Sequence, residues 1–381
     1  MAVPPNLVGF VEKAGLRPVE SYGVDSQQQM DAEIFRKYWK VQNPLVALRE
    51  VRDYITQGWA EMNATLRSLT EDSDLILTGT TYQEVAANVA EYRDVPLAAL
   101  HYFPARANSH VLPLPLPSAV VRQGWAVMEW VHWRALKDAE DAQRRDLGLP
   151  QATVRAVRRI VEGGTLEIQA YDELFFPGLA DEWGGTRPFV GAMTLGLGSA
   201  QDDEVASWIT AGRAPIYFGF GSMPVASPAD AVAMITAACA EIGERALISA
   251  GAWDLDGIRP AEHVKIVRSV NHAEVFPLCR AVVHHGGAGT TAAGIRAGVP
   301  SVILWVGADQ PFWAKQVERL KVGVYGRFSK TTTESLTQAL RTVLEPNWAD
   351  RAREVATWLT KPAESARATA DLLEETARRG R

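Results

Sequence analysis

The sequence predicts an α/β fold made of two Rossmann-like, doubly wound parallel-sheet domains. Three observations predict it. The 381 residues are enough for two domains that each bury a core of their own. Short apolar runs alternate with helical patterns along both halves, as strand–helix units around parallel sheets do. Between the halves, "LGLGSAQDDEVASW" (195–208) is rich in Gly and Ser and then acidic, the composition of a domain boundary. The predicted organisation is a first domain at 1–196, a linker at 197–210, a second domain at 211–360, and a C-terminal helix at 361–381 that packs back on the first domain.

In the first half, "DLILTG" (74–79) and "PLAALHY" (96–102) read as buried parallel strands, with "LEIQAYD" (166–172) and "PFVGAMTL" (188–195) as further candidates. Helical patterns lie near 45–70, 82–93, 118–146 and 150–162. The second half is more regular. Strand "PIYFGFG" (215–221) leads to a helix at 227–243, then strands "RALISAG" (245–251) and "VKIVRSV" (264–270). After them come "AVVHHG" (281–286), a helix over 290–297, strand "SVILWV" (301–306) and a helix over 310–320. Such a sheet takes its ligands at the carboxyl ends of its strands. The last helical pattern, 347–379, carries Val355, Trp358, Leu359, Ala368, Leu372 and Leu373, and Pro362 within "KPAE" should bend or break it.

Composition excludes several classes of function. Hydrophobic content of 47% and charge of 22% are those of a soluble globular protein. A formal net charge of −6 leaves no excess of Lys and Arg to neutralise phosphates, so nucleic acid is not an expected partner. The two cysteines, Cys239 and Cys279, make neither a disulfide framework nor a zinc site, and a reducing, cytoplasmic setting is expected. No run of eighteen apolar residues occurs, and "MAVPPNLVGF" has neither the basic flank nor the apolar core of a signal peptide.

The chemistry concentrates in three stretches of the second half. In "HHGGAGTT" (284–291), Gly286, Gly287 and Gly289 let backbone amides approach a ligand, and Thr290 and Thr291 offer hydroxyls where a helix begins. Unpaired amides and the helix dipole favour an anion there, so a phosphate-bearing ligand is the natural guest. The loop is neither a Walker A motif nor a dinucleotide fingerprint, and taken alone it is equally a plain strand–helix turn. "FGFGSM" (218–223) supplies a second Gly-rich turn with a hydroxyl, Ser222, at the end of another strand. Two such turns would converge on one crevice. In "GADQPFW" (307–313), Asp309 reads as an N-cap with Pro311 in the first turn, and Asp309 and Gln310 can also meet hydroxyls of a polar ligand.

Taken together, "VNHAEVFPLCRAVVHHGGAGTTAAGIRAGVPSVILWVGADQPFWA" (270–314) resembles the nucleotide-sugar-binding signature of GT-B-fold glycosyltransferases, the superfamily of UDP-glycosyltransferases, sterol glucosyltransferases and bacterial antibiotic glycosyltransferases. "NPLVALREVRD" (43–53) and "HYFPARAN" (101–108) resemble the mycobacterial enzymes that glycosylate cell-envelope glycolipids. The resemblance implies two domains facing a cleft and a metal-independent, inverting transfer from a UDP- or dTDP-sugar to a hydroxyl of a lipidic or polyketide-like acceptor. It implies no cofactor. His285 is expected to donate to the donor's β-phosphate, with Gly286, Gly287, Ala288, Gly289 and Thr290 around the diphosphate and Ser222 facing it. Val270 and Asn271 should lie against the base, and Asp309 and Gln310 should bind the transferred sugar. His284, one step earlier on a strand, points the other way and is read as structural.

Ala293 stands where plant relatives carry a glutamate for the ribose hydroxyls, so the nucleotide stays undecided between UDP and dTDP. "DLD" (254–256) reads as turn residues rather than a metal motif, and His101, His110, His132, His263 and His272 show no ligand spacing. The helical pattern from 119 to 136, with Trp125, Trp130 and Trp133, is apolar nearly all round. It is either buried in the domain core or covered by an apolar acceptor, with peripheral membrane contact as a further expectation. "MAVPPNLVGFVEKAGL" resembles the family's second strand. Relatives begin earlier, with a strand, a loop of the type "GTRGD" that supplies the catalytic base, and a helix. A truncated or misassigned start is therefore expected, with the base upstream of Met1 and weak activity or donor binding without turnover as the alternative function. An epimerase sharing the fold is a second rival, which "DQPFW" disfavours.

Overall fold

The structure, a computed structural model, describes residues 1–31, 52–111, 117–194, 196, 198, 202–223, 225, 227–255 and 257–380. The helical pattern near 45–70 and the stretch "NPLVALREVRD" thus lie partly outside the described residues. The chain forms two compact units. The first comprises Met1–Ala170, Gly178–Val190 and Ala366–Arg381, and the second Tyr171–Pro177 and Gly191–Ser365.

The first unit holds a three-stranded parallel sheet and a separate parallel pair. The pair is β1 (Ala2–Val3) with β2 (Glu20–Ser21), and the sheet has the order β3 (Ile76–Thr78), β4 (Leu97–His101), β5 (Leu166–Gln169). The helices Gln83–Arg93 and Ala156–Glu162 bury Val89 and Ile160 against Ile76 and Leu97. A polar network closes the carboxyl end. Glu167 on β5 accepts from Arg106 and, at 2.7 Å, from Arg187. His101 on β4 lies 3.0 Å from the Gln83 amide nitrogen. The candidate strand "PFVGAMTL" is reduced to one bridge, Gln169 to Phe189. Gly191, at φ 80°, turns the chain out of extended conformation.

The helix Ser118–Asp146 corrects the expectation of core burial. Its C-terminal half is buried through Leu136, Glu140, Gln143 and Arg144, but Val120, Val127, Met128, Trp130 and Val131 are exposed. Among the described residues, no helix is long and apolar enough to cross a membrane.

The second unit is built on a six-stranded parallel sheet of order β11-β10-β9-β6-β7-β8. Its strands are β6 (Ile216–Gly219), β7 (Ala246–Ser249), β8 (Val264–Val267), β9 (Ala281–His284), β10 (Ser301–Trp305) and β11 (Gly323–Arg327). Strands β6, β7 and β9 are buried at every position, as a sheet covered on both faces requires. One element differs from expectation. Residues 202–210, read as linker, form the helix Asp202–Thr210, because Val205 and Ile209 at i,i+4 enter the core beside Leu247 and Val282. As expected, Pro362 breaks the last helical pattern, into Pro346–Ala356 and Pro362–Arg379, and takes the first position of the second helix.

Candidate functional site

The sheet of the second unit reverses its order at β6, with β7 and β8 on one side and β9, β10 and β11 on the other. Ligands of doubly wound sheets bind outside the carboxyl ends of the strands at this reversal. Gly219, the last residue of β6, is in register with His284, the last residue of β9. The turns that follow the two strands therefore open side by side, bringing Ser222 and the loop from His285 to Thr290 to one end of the sheet.

Glycine is dictated by space at this end. Gly221 sits at φ 60°, where a Cβ would come 3.2 Å from Cε1 of His285. Gly286, at φ 93°, has Ile303 Cγ2 only 2.8 Å from where its Cβ would be, and at Gly287 a Cβ would lie 2.6 Å from Nε2 of His285. A side chain at any of the three would displace His285 or the loop. A Cβ at Gly289 would meet nothing within 4 Å, so the backbone there is open to a ligand. The helix Ala288–Arg296 starts at Gly287 with no side-chain cap. The amides of Ala288, Gly289 and Thr290 thus stand at a positive helix end, two residues earlier than the predicted start at 290. Thr291 does not join them, because its hydroxyl donates back to the Gly287 carbonyl at 2.9 Å.

The two histidines have different roles. His284 is fully buried, and its Nδ1 accepts from the Gly286 amide at 3.1 Å, which fixes the loop. His285 is half-buried with Nδ1 unpartnered. Burial pushes its pKa down to about 4, against a backbone hydrogen bond at Gly219 that acts the other way. The free site thus presents a neutral imidazole.

Asp309 does not cap its helix with its side chain. Its Oδ2 accepts from Trp313 Nε1 at 2.8 Å, and burial raises its pKa. Gln310 is 3% exposed. Its carbonyl oxygen accepts from the amides of Val306 and Gly307 at 2.7 and 3.1 Å, and its amide nitrogen contacts Met223 Sδ at 2.8 Å. It holds the turn after β10 against the turn after β6. Ala308, at φ 55°, is a strained residue next to both, and no sequence signal marks it. Val270 and Asn271 follow β8 at the sheet's edge. Asn271 accepts from the Ala273 amide at 3.1 Å and donates to Glu274 at 2.9 Å, so its side chain is engaged in its own helix start.

Two glycine turns and a neutral histidine thus stand at the switch point of a parallel sheet. Over 382 residues the chain is 59% identical to an uncharacterized glycosyltransferase of Mycobacterium tuberculosis (strain ATCC 25618 / H37Rv), an overlap covering 100% of this chain and 92% of the relative. The chain belongs to this glycosyltransferase family. Residues 254–372 match the family described as "Erythromycin biosynthesis protein CIII-like, C-terminal domain". A sterol 3-beta-glucosyltransferase of Arabidopsis thaliana is 32% identical over 246 residues, 62% of this chain and 38% of that protein. Among solved structures, the glycosyltransferase of kitacinnamycin superposes with a TM-score of 0.71 at 18% identity, covering 99% of this chain and 90% of that one. The glycosyltransferase VinC, in complex with dTDP, has a TM-score of 0.63 at 17% identity, covering 99% and 92%. At those identities the structural likeness establishes the fold: this glycosyltransferase has the GT-B architecture of two Rossmann-like domains.

Proposed function

We propose that this glycosyltransferase moves a sugar from a UDP- or dTDP-sugar to a hydroxyl of a lipidic or polyketide-like acceptor, a cell-envelope glycolipid above all, working beside a membrane surface. The observation that carries the donor half is the register of Gly219 with His284, which sets two glycine turns and His285 side by side at one end of the sheet. In this reading Nε2 of His285 donates to the β-phosphate. The amides of Gly286, Gly287, Ala288, Gly289 and Thr290 surround the diphosphate, and Ser222 faces it. Asp309 and Gln310 meet the sugar, and Val270 and Asn271 the base.

The reaction is a single displacement with inversion at the anomeric carbon. The acceptor oxygen bonds to that carbon as the bond to the diphosphate oxygen breaks, and the acceptor's proton goes to a base outside the donor site. The leaving diphosphate is stabilised by preorganised donors and a helix end, so no metal or cofactor is called for. VinC, solved in complex with dTDP, supports a nucleoside diphosphate here. Calorimetry with UDP and dTDP, followed by product analysis with UDP- and dTDP-sugars and a glycolipid acceptor in the presence of EDTA, tests the reading. Binding of neither nucleotide, or a product of retained anomeric configuration, would overturn it.

A further inference from the structure

The helix Ser118–Asp146 carries an apolar stripe that the structure leaves exposed. At about 100° per residue, Val120, Val127, Trp130 and Val131 share one face. Val121 and Leu136, on the other side, are buried. Val127, Trp130 and Val131 are 61%, 53% and 40% exposed, unusual for large apolar side chains so close together. Beside the stripe runs an open trough of about 790 Å³ lined by Arg122, Ala126, Val127, Trp130 and Arg155 among others.

Charge identifies the occupant. The chain as a whole is net −6, yet over residues 118–134 Arg122 and Arg134 face a single acid, Glu129, which Arg155 pairs at 3.6 Å. Arg122 keeps one distant partner, Glu182 at 3.4 Å, and stays half exposed. Cations beside an exposed Trp and branched apolar side chains suit the headgroup boundary of an anionic bilayer, where tryptophan is also favoured. A second copy of the chain suits the stripe less well. From Val120 to Val131 it runs about 17 Å and is one helix wide, on the order of 170 Å², against roughly 800 Å² per partner in a stable dimer.

We propose that this stripe docks the first unit on an anionic lipid surface, with Val127, Trp130 and Val131 entering the headgroup boundary and Arg122 and Arg134 meeting lipid phosphates. The proposal rests on the lipidic-acceptor reading for its purpose. Vesicle binding needs neither donor nor acceptor, so the two readings fail separately.

The test is co-sedimentation of the full chain with vesicles of phosphatidylcholine alone and of equal parts phosphatidylcholine and phosphatidylglycerol, at low and high salt. Binding to the anionic vesicles only, weakened by salt, is expected. The double variant Val127→Asp/Trp130→Asp should bind about tenfold more weakly or worse, and Arg122→Gln/Arg134→Gln should lose the preference for phosphatidylglycerol. Because these side chains are exposed, thermal melting and nucleoside diphosphate calorimetry should match the parent. If the double variant fails to fold, Val127→Cys carrying an environment-sensitive fluorophore replaces it, and a blue shift on adding anionic vesicles is expected. Failure of the parent to sediment, sedimentation of the aspartate variant like the parent, or an unshifted fluorophore overturns the proposal. So does a stripe-dependent dimer in light scattering that ignores vesicles.

Discussion

Asp309 Oδ2 accepts a hydrogen bond from Trp313 Nε1 at 2.8 Å, which turns a residue expected to cap a helix into a carboxylate held in place by an indole. Trp313 is itself nearly sealed, packing edge-on against Tyr171, Phe175 and Phe176. Asp309→Asn keeps an acceptor for the indole, so thermal stability should stay within about 1 kcal/mol of the parent. If Asp309 meets the transferred sugar, affinity for a sugar nucleotide or turnover should fall while affinity for the bare nucleoside diphosphate holds. Unchanged turnover with every donor tried would leave the carboxylate as a support for Trp313 alone. Trp313→Phe separates the roles from the other side, because it frees Asp309 and should weaken stability and sugar handling together.

His285 lies against both glycine turns, with Gly221 on one side and Gly287 on the other. Replacing it by alanine removes a half-buried side chain and its hydrogen bond to the backbone at Gly219. His285→Ala should weaken binding of UDP or dTDP and of the matching sugar nucleotide alike, by roughly 1.5–3 kcal/mol for a hydrogen bond to a charged group. Calorimetry checks it, and an unaltered diphosphate affinity would remove His285 from the phosphate site.

Much of the second unit was legible because parallel strands buried on both faces leave short apolar runs bounded by glycine, as "PIYFGFG" and "AVVHHG" do. The extent of the first-unit helix Ser118–Asp146 is likewise legible in its sequence pattern. What failed to show has particular causes. An apolar pattern all round a helix cannot say which side is covered, so the exposed stripe of Val127 and Trp130 was invisible. The left-handed conformation of Ala308 follows from its surroundings and not from its side chain. β11, "GVYGR", has two glycines and a polar end, too few apolar residues to read as a strand. The partnership of Asp309 with Trp313, by contrast, could have been found, since i,i+4 places them on one helix face.

Glu167, 3% exposed, accepts from both Arg106 and Arg187. Removing the carboxylate would leave two guanidiniums facing each other in a nearly dry pocket. Glu167→Ala should cost about 3–5 kcal/mol of stability, the penalty for unpairing buried charge. Arg187→Ala should cost less, because Arg106 still holds the carboxylate. Chemical denaturation of the first unit's transition measures both, and equal costs would mean that packing rather than charge pairing dominates.

The second unit folds around three histidines that stay neutral. Burial pushes His272 and His285 down to about 4 and His284 well below its ordinary 6.5. Unfolded, each titrates near 6.5, so below that value the unfolded chain binds more protons than the folded one. Stability is then fully present above about 6.5, falls as pH drops through the interval, and levels off for His272 and His285 below about 4. Each fully buried histidine adds a slope of up to roughly 1.4 kcal/mol per pH unit. His272 is tied to Tyr217 Oη at 3.2 Å and stacks on Phe276. His272→Gln keeps a polar partner for that hydroxyl without a titrating group, so its denaturation midpoint should fall less steeply with pH than the parent's. Ligand reverses the sign at one site. A diphosphate beside His285 favours the imidazolium, so binding should take up protons in this interval, and the uptake should vanish in His285→Ala. Calorimetry in two buffers of different ionisation enthalpy reads it directly, and equal heats in both buffers would show that His285 gains no proton when the diphosphate binds.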